Sequence, residues 1–123
     1  MKRLEVKKLD FAYGRNQILF EVDFTLEESQ IGCLLGPSGC GKTTVLRAIA
    51  GFENPTKGEI VLNGRNLNGS NIFVEPEKRQ IGMIFQDIAL FPHLSVDDNI
   101  QFGIRLLPQI QRNRRSNELL ELV

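Results

Sequence analysis

The run Gly36–Thr44 has the spacing of a phosphate-binding loop, and it is the feature that most constrains the fold of this chain. An apolar stretch, Ile31–Leu35, precedes the run, and a helical pattern over Thr43–Ala50 follows it. Such loops turn backbone N–H groups toward an anion, and the helix adds its free N–H groups and the positive end of its dipole. A glycine-rich turn that contains Lys-Thr by chance would not have this context. The run has the pattern Gly, four residues, Gly-Lys-Thr and consists of Gly36, Pro37, Ser38, Gly39, Cys40, Gly41, Lys42, Thr43 and Thr44.

The residue types in this loop predict the chemistry of its ligand. Lys42 supplies a mobile positive charge suited to the β- and γ-phosphates of a nucleotide. The Thr43 hydroxyl is placed to ligate Mg²⁺. We therefore expect ATP and Mg²⁺ as cofactors, Lys42 as a binding and catalytic residue, and Thr43 as a metal ligand.

Composition excludes several other classes of function. The 123 residues contain 15 Lys plus Arg and 15 Asp plus Glu, so the formal net charge is zero. The chain thus has no overall positive charge that would indicate nucleic acid as a partner. Cys33 and Cys40 do not form a Cys-x-x-Cys pair and are expected to be reduced thiols. No window approaches the roughly 20 apolar residues of a membrane span. If the protein works at a membrane, we expect it to do so by docking.

Periodicity predicts the arrangement of strands. Alternating residues over 4–9 and 18–26, with a turn at Tyr13–Asn16, predict two antiparallel strands. The apolar runs Ile31–Leu35 and Ile81–Phe85 predict buried strands of a mostly parallel sheet.

Turn and capping signals predict the other elements. Gly51 is expected to end the first helix, and Ser95 to cap a short helix over 96–102. A strand over 59–62 ends at the turn signal Asn63-Gly64, and Arg65–Phe73 is expected to be a loop. Pro108 interrupts the pattern, and residues 116–123 are helical in pattern.

Four separate features occur in this order: Tyr13-Gly14, the phosphate loop, the link Gly51–Ile60, and the run Pro76–Asp87 with its continuation Ala89–Val96. Together they resemble the ATP-binding subunit of ABC (ATP-binding cassette) transporters of the importer type. The resemblance implies an α/β fold with a P-loop NTPase core. In this fold, a mostly parallel sheet and an N-terminal antiparallel β portion occupy residues 1–94, and a helical subdomain starts over 95–123. The sequence of these motifs is similar to that of the ATP-binding subunits of ferric iron, polyamine and sugar importers, and it slightly favours ferric iron.

The resemblance also implies roles for two residues outside the loop. Tyr13 resembles the aromatic residue on which the family stacks adenine; the alternative is a turn tyrosine that packs on the sheet. Gln86 resembles the family's Q-loop glutamine, a catalytic residue and Mg²⁺ ligand; the alternative is a surface turn glutamine. Asp87, one residue further, is expected to face solvent.

The same resemblance implies partners and a location. We expect transmembrane permease subunits to dock near Gln86–Ser95, a second ATP-binding subunit to complete the site, and a periplasmic or extracellular solute-binding protein to take part indirectly. The location implied is peripheral, on the cytoplasmic face of the inner membrane. Leu90–Leu94 suits a groove for a partner's helix, although an ordinary buried loop fits about equally well. His93 is assigned to packing or an interface, and Arg112, Arg114 and Arg115 to a solvated helix face.

Other motifs of the family are not found in the sequence. These are the Leu-Ser-Gly-Gly-Gln signature, a second apolar strand that ends in Asp-Glu, and the switch histidine. We therefore interpret the sequence as the N-terminal part of an ATP-binding domain, truncated before the signature. The function predicted is ATP binding by a subunit that couples hydrolysis to import. The alternative is a truncated nucleotide-binding module or remnant, and the 123-residue chain alone is predicted not to turn over ATP.

Overall fold

The structure is a computed structural model that describes residues 2–87 and 89–122. It divides into two compact units, Met1–Met83 and Ile84–Val123. The first unit contains a sheet and the phosphate loop, and the second consists of short helices. The boundary predicted between residues 94 and 95 stays a prediction.

The first unit contains five strands: β1 (Lys2–Tyr13), β2 (Asn16–Glu27), β3 (Lys57–Leu62), β4 (Arg65–Gly69) and β5 (Ile72–Phe73). They form an antiparallel sheet with the order β2-β1-β3-β4-β5. The predicted antiparallel pair of strands is confirmed, because β1 and β2 pair in register with Val6 opposite Phe24. The other edge of β1 pairs with β3, where Val6 lies opposite Ile60.

A bulge explains why the alternation in the first strand is imperfect. Val6 and Leu9 are both buried although an odd number of residue steps separates them. Lys8 between them has φ 43°, and the register with β2 shifts between Val6 and Leu9. The extra residue returns the apolar side chains to the same face of the sheet.

The core lies between this face and the first helix, α1 (Lys42–Ala50). Burial of each large apolar side chain contributes about 1.5–3 kcal/mol, so this contact is what holds the helix on the sheet. The helix ends as predicted at Gly51, whose φ of 94° is left-handed and whose N–H donates to the carbonyls of Arg47 and Ala48. The core residues are Leu4, Val6, Leu9, Phe11, Leu19, Val45, Ala48, Ile49, Ile60 and Leu67.

The two apolar runs predicted as buried parallel strands are not strands in the structure. Ile31 in the first run is 98% exposed and Ile84 in the second is 99% exposed. A parallel strand is buried only when neighbours pair with both its edges and other elements cover both its faces. Within residues 2–87 and 89–122 every pairing is antiparallel, so neither run has such neighbours. The expectation of a mostly parallel sheet is therefore not met by the described residues.

The segment predicted as a loop, Arg65–Phe73, instead contains β4 and β5. Asn63 and Gly64 both have positive φ, 51° and 75°, which matches the twist of a two-residue hairpin. Leu62 therefore pairs with Arg65, and the hairpin continues into a strand despite its polar sequence. A short helix, α2 (Pro76–Arg79), follows.

The second unit contains α3 (Val96–Gln101), a 3₁₀ turn over Phe102–Ile104 and α4 (Gln109–Glu121). The predicted cap is confirmed, because the Ser95 hydroxyl accepts a hydrogen bond from the N–H of Asp98. The last helix begins earlier than predicted, at Gln109, and the carbonyl of Pro108 before it accepts the first helical bond, from the N–H of Arg112, at 3.0 Å. No helix within the described parts of the chain is long and apolar enough to span a membrane.

Candidate functional site

The phosphate loop leads directly into α1, and Gly41 is the residue where the two meet. Gly41 has φ 98°, and its carbonyl accepts the first helical bond, from the N–H of Val45, at 3.0 Å. A Cβ at this position would lie 2.6 Å from Cδ2 of Leu19, so glycine lets the loop approach β2 closely. No side chain caps the helix, and its first turn contains no acidic residue. The N-terminal N–H groups of α1 therefore suit an anionic ligand.

The side chain of Lys42 curls back over the loop. Its Nζ donates to the carbonyls of Gly36 and Pro37, each at 2.7 Å, and to Sγ of Cys40 at 3.5 Å. The ammonium is thus held at the loop by neutral acceptors. A phosphate is a stronger acceptor for the same ammonium, because its negative charge adds Coulombic attraction to the hydrogen bond.

The residues of the loop fit Mg²⁺ bound together with a nucleotide. Thr43, in the first turn of α1, is exposed, so its hydroxyl is open to a ligand. No group of three or more His, Cys, Asp or Glu residues in the part of the chain that the structure describes could hold a metal alone. Mg²⁺ commonly keeps several water ligands and binds through substrate phosphates. Thr43 would hold such an ion, which would neutralise phosphate charge when bound.

Tyr13, the predicted adenine platform, is the last residue of β1 and lies in the same unit as the loop. Its hydroxyl donates to Oε1 of Glu53 at 2.8 Å. Phe11 meets its ring edge-on, with ring centroids 4.8 Å apart and an interplanar angle of 80°. The side chain is nevertheless 53% exposed, so part of the ring is open to solvent.

Glu53 is a residue of this site that the sequence analysis missed. Its Oε1 also accepts from Nε of Arg47, on α1, at 3.2 Å. The hydrogen bond to Glu53 raises the pKa of Tyr13 above its ordinary value, and desolvation and the carboxylate charge act in the same direction. Arg47 and a hydrogen bond with Thr44 oppose this effect. Tyr13 is therefore linked through Glu53 to the helix that carries the phosphate loop.

Arg79, the last residue of α2, was also missed as a site-supporting residue. It is 2% exposed and donates from Nη1 to the carbonyls of Ala48 and Ile49, at 2.8 and 2.9 Å, and from Nε to that of Val74 at 2.6 Å. Burial lowers its pKa, and the charge of Glu75 partly opposes that shift. The cation lies at the C-terminal end of α1, where the helix dipole favours positive charge.

The second unit contains Gln86 and the predicted docking segment. Gln86 lies in an exposed bend, and its catalytic and metal-binding roles stay predictions. Leu90, in the docking segment, is 65% exposed, so the described unit does not bury it. Asn99 of α3 holds the segment, because its amide donates to the carbonyls of Phe91, Leu94 and Ser95 and accepts from the N–H of Phe91.

Other charged and aromatic side chains of this unit have structural contacts. His93 packs edge-on against Phe91 with centroids 6.0 Å apart, in agreement with the packing role predicted for it. On α4, Arg114 and Arg115 pair with Glu118 at 3.2 and 2.9 Å, and Arg112 donates to Gln109. Arg114 and Arg115 lie on a solvated helix face, as predicted.

The glycine-rich turn, the lysine within it and the helix that follows define a protein with a P-loop phosphate site. The chain belongs to the ABC transporter family, which matches residues 19–123, and this family implies the P-loop NTPase fold.

Curated relatives are similar over nearly the whole chain. The Fe(3+) ions import ATP-binding protein FbpC of Mannheimia succiniciproducens is 40% identical over 122 residues, which are 98% of this chain and 34% of that protein. FbpC 1 of Haemophilus influenzae is 42% identical over 98% of this chain and 36% of its own length. The spermidine/putrescine import ATP-binding protein PotA of Legionella pneumophila is 43% identical over 98% and 32%. The chain spans about a third of the length of these relatives.

Proposed function

We propose that this chain binds ATP with Mg²⁺ at its phosphate loop. The observation that carries the proposal is the position of the Lys42 ammonium, held against the loop at the uncapped N-terminus of α1. In this proposal the loop N–H groups and Lys42 bind the phosphates, Thr43 holds the ion, and Tyr13 stacks on adenine. Gln86 is proposed as the further ligand of the ion and a catalytic residue.

We further propose that the whole protein is the ATP-binding subunit of an importer that couples ATP hydrolysis to uptake. The relatives, which include two ferric-iron import proteins and a spermidine/putrescine import protein, support this class. Ferric iron is the proposed substrate. The proposed partners are permease subunits at Gln86–Ser95, a second ATP-binding subunit and, indirectly, a solute-binding protein. The proposed location is the cytoplasmic face of the inner membrane.

Calorimetric titration of the 123-residue chain with Mg-ATP tests the binding proposal. Lys42→Ala removes a charge-assisted contact of about 1.5–3 kcal/mol, so affinity should fall by roughly one to two decades. Lys57→Ala is the matched control, since Lys57 is an exposed lysine on β3. The proposal fails if the wild type does not bind ATP, or if Lys42→Ala binds ATP as tightly as the Lys57→Ala control.

A further inference from the structure

We propose that Glu53 is a positioning residue for adenine, because it fixes the ring of Tyr13 in the orientation that a base can stack on. The inference rests on the proposed nucleotide binding and adds a residue to it. Glu53 itself need not touch the nucleotide. It acts through the hydroxyl of Tyr13, from which Oε1 of Glu53 accepts a hydrogen bond at 2.8 Å.

Tyr13 is held from two directions. Phe11 contacts its ring edge-on, and Glu53 binds the far end of the side chain. An exposed tyrosine at the end of a strand would otherwise sample several rotamers, and binding a base would have to select one of them. A ring held at its hydroxyl and against its neighbour loses less freedom when the base stacks on it.

Glu53 is itself fixed by the helix of the phosphate loop. Nε of Arg47 donates to the same carboxylate oxygen at 3.2 Å, and Arg47 lies in the last turn of α1. The chain Tyr13–Glu53–Arg47 thus ties the proposed base platform to the element that holds the phosphates. The base and the phosphates of one nucleotide are covalently linked, which limits their separation, so this connection favours simultaneous contact with both.

A purely stabilising role for Glu53 predicts a different outcome. Partly exposed ion pairs such as Arg47–Glu53 contribute little to stability, typically about 0–1 kcal/mol. Loss of Glu53 should therefore leave the phosphate loop folded. Its effect should appear only with a ligand that carries a base.

The experiment compares two ligands, Mg-ATP and inorganic tripolyphosphate with Mg²⁺, by calorimetry on the 123-residue chain. Glu53→Ala, Tyr13→Phe and their double variant are titrated, with Glu59→Ala as the matched control because Glu59 is an exposed carboxylate on β3. We expect Glu53→Ala and Tyr13→Phe each to weaken ATP about three- to tenfold, less than complete loss of base stacking would cost. Tripolyphosphate affinity should not change.

The double variant distinguishes positioning from independent effects. If Glu53 acts through the Tyr13 hydroxyl, the double variant should bind ATP no more weakly than the weaker single variant. Equal weakening of both ligands by Glu53→Ala, multiplying losses in the double variant, or unchanged ATP affinity would each overturn the inference. Wild-type chain that binds tripolyphosphate as tightly as ATP would overturn this inference alone, whereas failure to bind either ligand would overturn the proposed function.

Discussion

Nη1 of Arg79 donates to the carbonyl of Ala48 across 2.8 Å, so a buried cation from α2 closes the end of α1 opposite the phosphate loop. The same nitrogen reaches Ile49, and Nε reaches Val74. The guanidinium also lies over the ring of Phe73, with Cζ 5.1 Å from the centroid. Arg79 therefore joins the end of the sheet to the helix through main-chain carbonyls.

We predict that Arg79→Met destabilises the first unit. The substitution leaves buried carbonyls without their donor, at a cost of about 1–3 kcal/mol for such a group. Chemical denaturation of wild type and variant measures the free energy of unfolding. Arg79→Lys should lie between them, because it keeps the charge at the helix C-terminus but lacks the forked geometry. Equal stability of all three chains would show that the contact contributes nothing.

Gly51→Ala should destabilise the same end of α1 by a different mechanism. Gly51 has φ 94°, which costs an L-residue about 1–2 kcal/mol, and an added Cβ would lie 2.6 Å from Nε of Arg79. Gly82→Ala is the control, since nothing lies within 4 Å of a Cβ built there. Thermal unfolding should show a lower midpoint for Gly51→Ala than for Gly82→Ala. A smaller loss for Gly51→Ala would mean that Arg79 is not packed against this turn.

The sequence correctly predicted the structural elements that depend on residues close together in the chain. The glycine that ends α1, the Ser95 cap and the hairpin of β1 and β2 all depend on residues close together in the chain, and the structure confirms them. The strands predicted at Ile31–Leu35 and Ile81–Phe85 depend instead on neighbours elsewhere. An apolar run favours a buried strand, but the strand forms only where neighbouring strands pair with its edges.

The supporting residues of the site were missed for a related reason. Glu53 and Tyr13 are 40 positions apart, and Arg79 and Ala48 are 31 apart, so neither contact leaves a local pattern. Arg79 stands in the charged run Glu77-Lys78-Arg79, which is typical of a solvated helix turn. No local pattern in the sequence therefore indicates that Arg79 is buried.

The alkaline titration of Tyr13 is predicted to depend on Glu53. The hydrogen bond to Glu53 is the main cause that raises the pKa of Tyr13, so Glu53→Ala should let the phenol ionise at lower pH. The chain contains one tyrosine and no tryptophan, so the long-wavelength ultraviolet band of ionised phenol reports this group alone. Glu59→Ala should leave the titration unchanged. An identical titration curve for Glu53→Ala and wild type would contradict the contact.

The same shift predicts the sign of a stability change. Because the pKa of Tyr13 is raised in the folded chain, folding favours the protonated phenol. Its contribution is complete below the ordinary pKa of tyrosine and is lost as pH rises through the folded value. Denaturation at a series of alkaline pH values should therefore show wild type losing a small stability advantage over Glu53→Ala. An advantage that grows with rising pH would have the wrong sign.

Nucleotide binding should protect Cys40 from alkylation and leave Cys33 reactive. Both thiols are exposed, but Sγ of Cys40 lies 3.5 Å from Nζ of Lys42, inside the proposed phosphate site, whereas Cys33 precedes the loop. Cys33→Ser and Cys40→Ser each leave one thiol, whose maleimide labelling can be timed separately. At ATP about ten times Kd, roughly one chain in ten is unliganded, so labelling of Cys40 should slow about tenfold. Lys42→Ala should reduce this protection to about twofold or less at the same ATP concentration, because a one- to two-decade loss of affinity leaves about half of the chains or more unliganded. Equal slowing of both thiols would indicate a general closing of the chain, and no slowing of Cys40 would contradict binding of ATP at this loop.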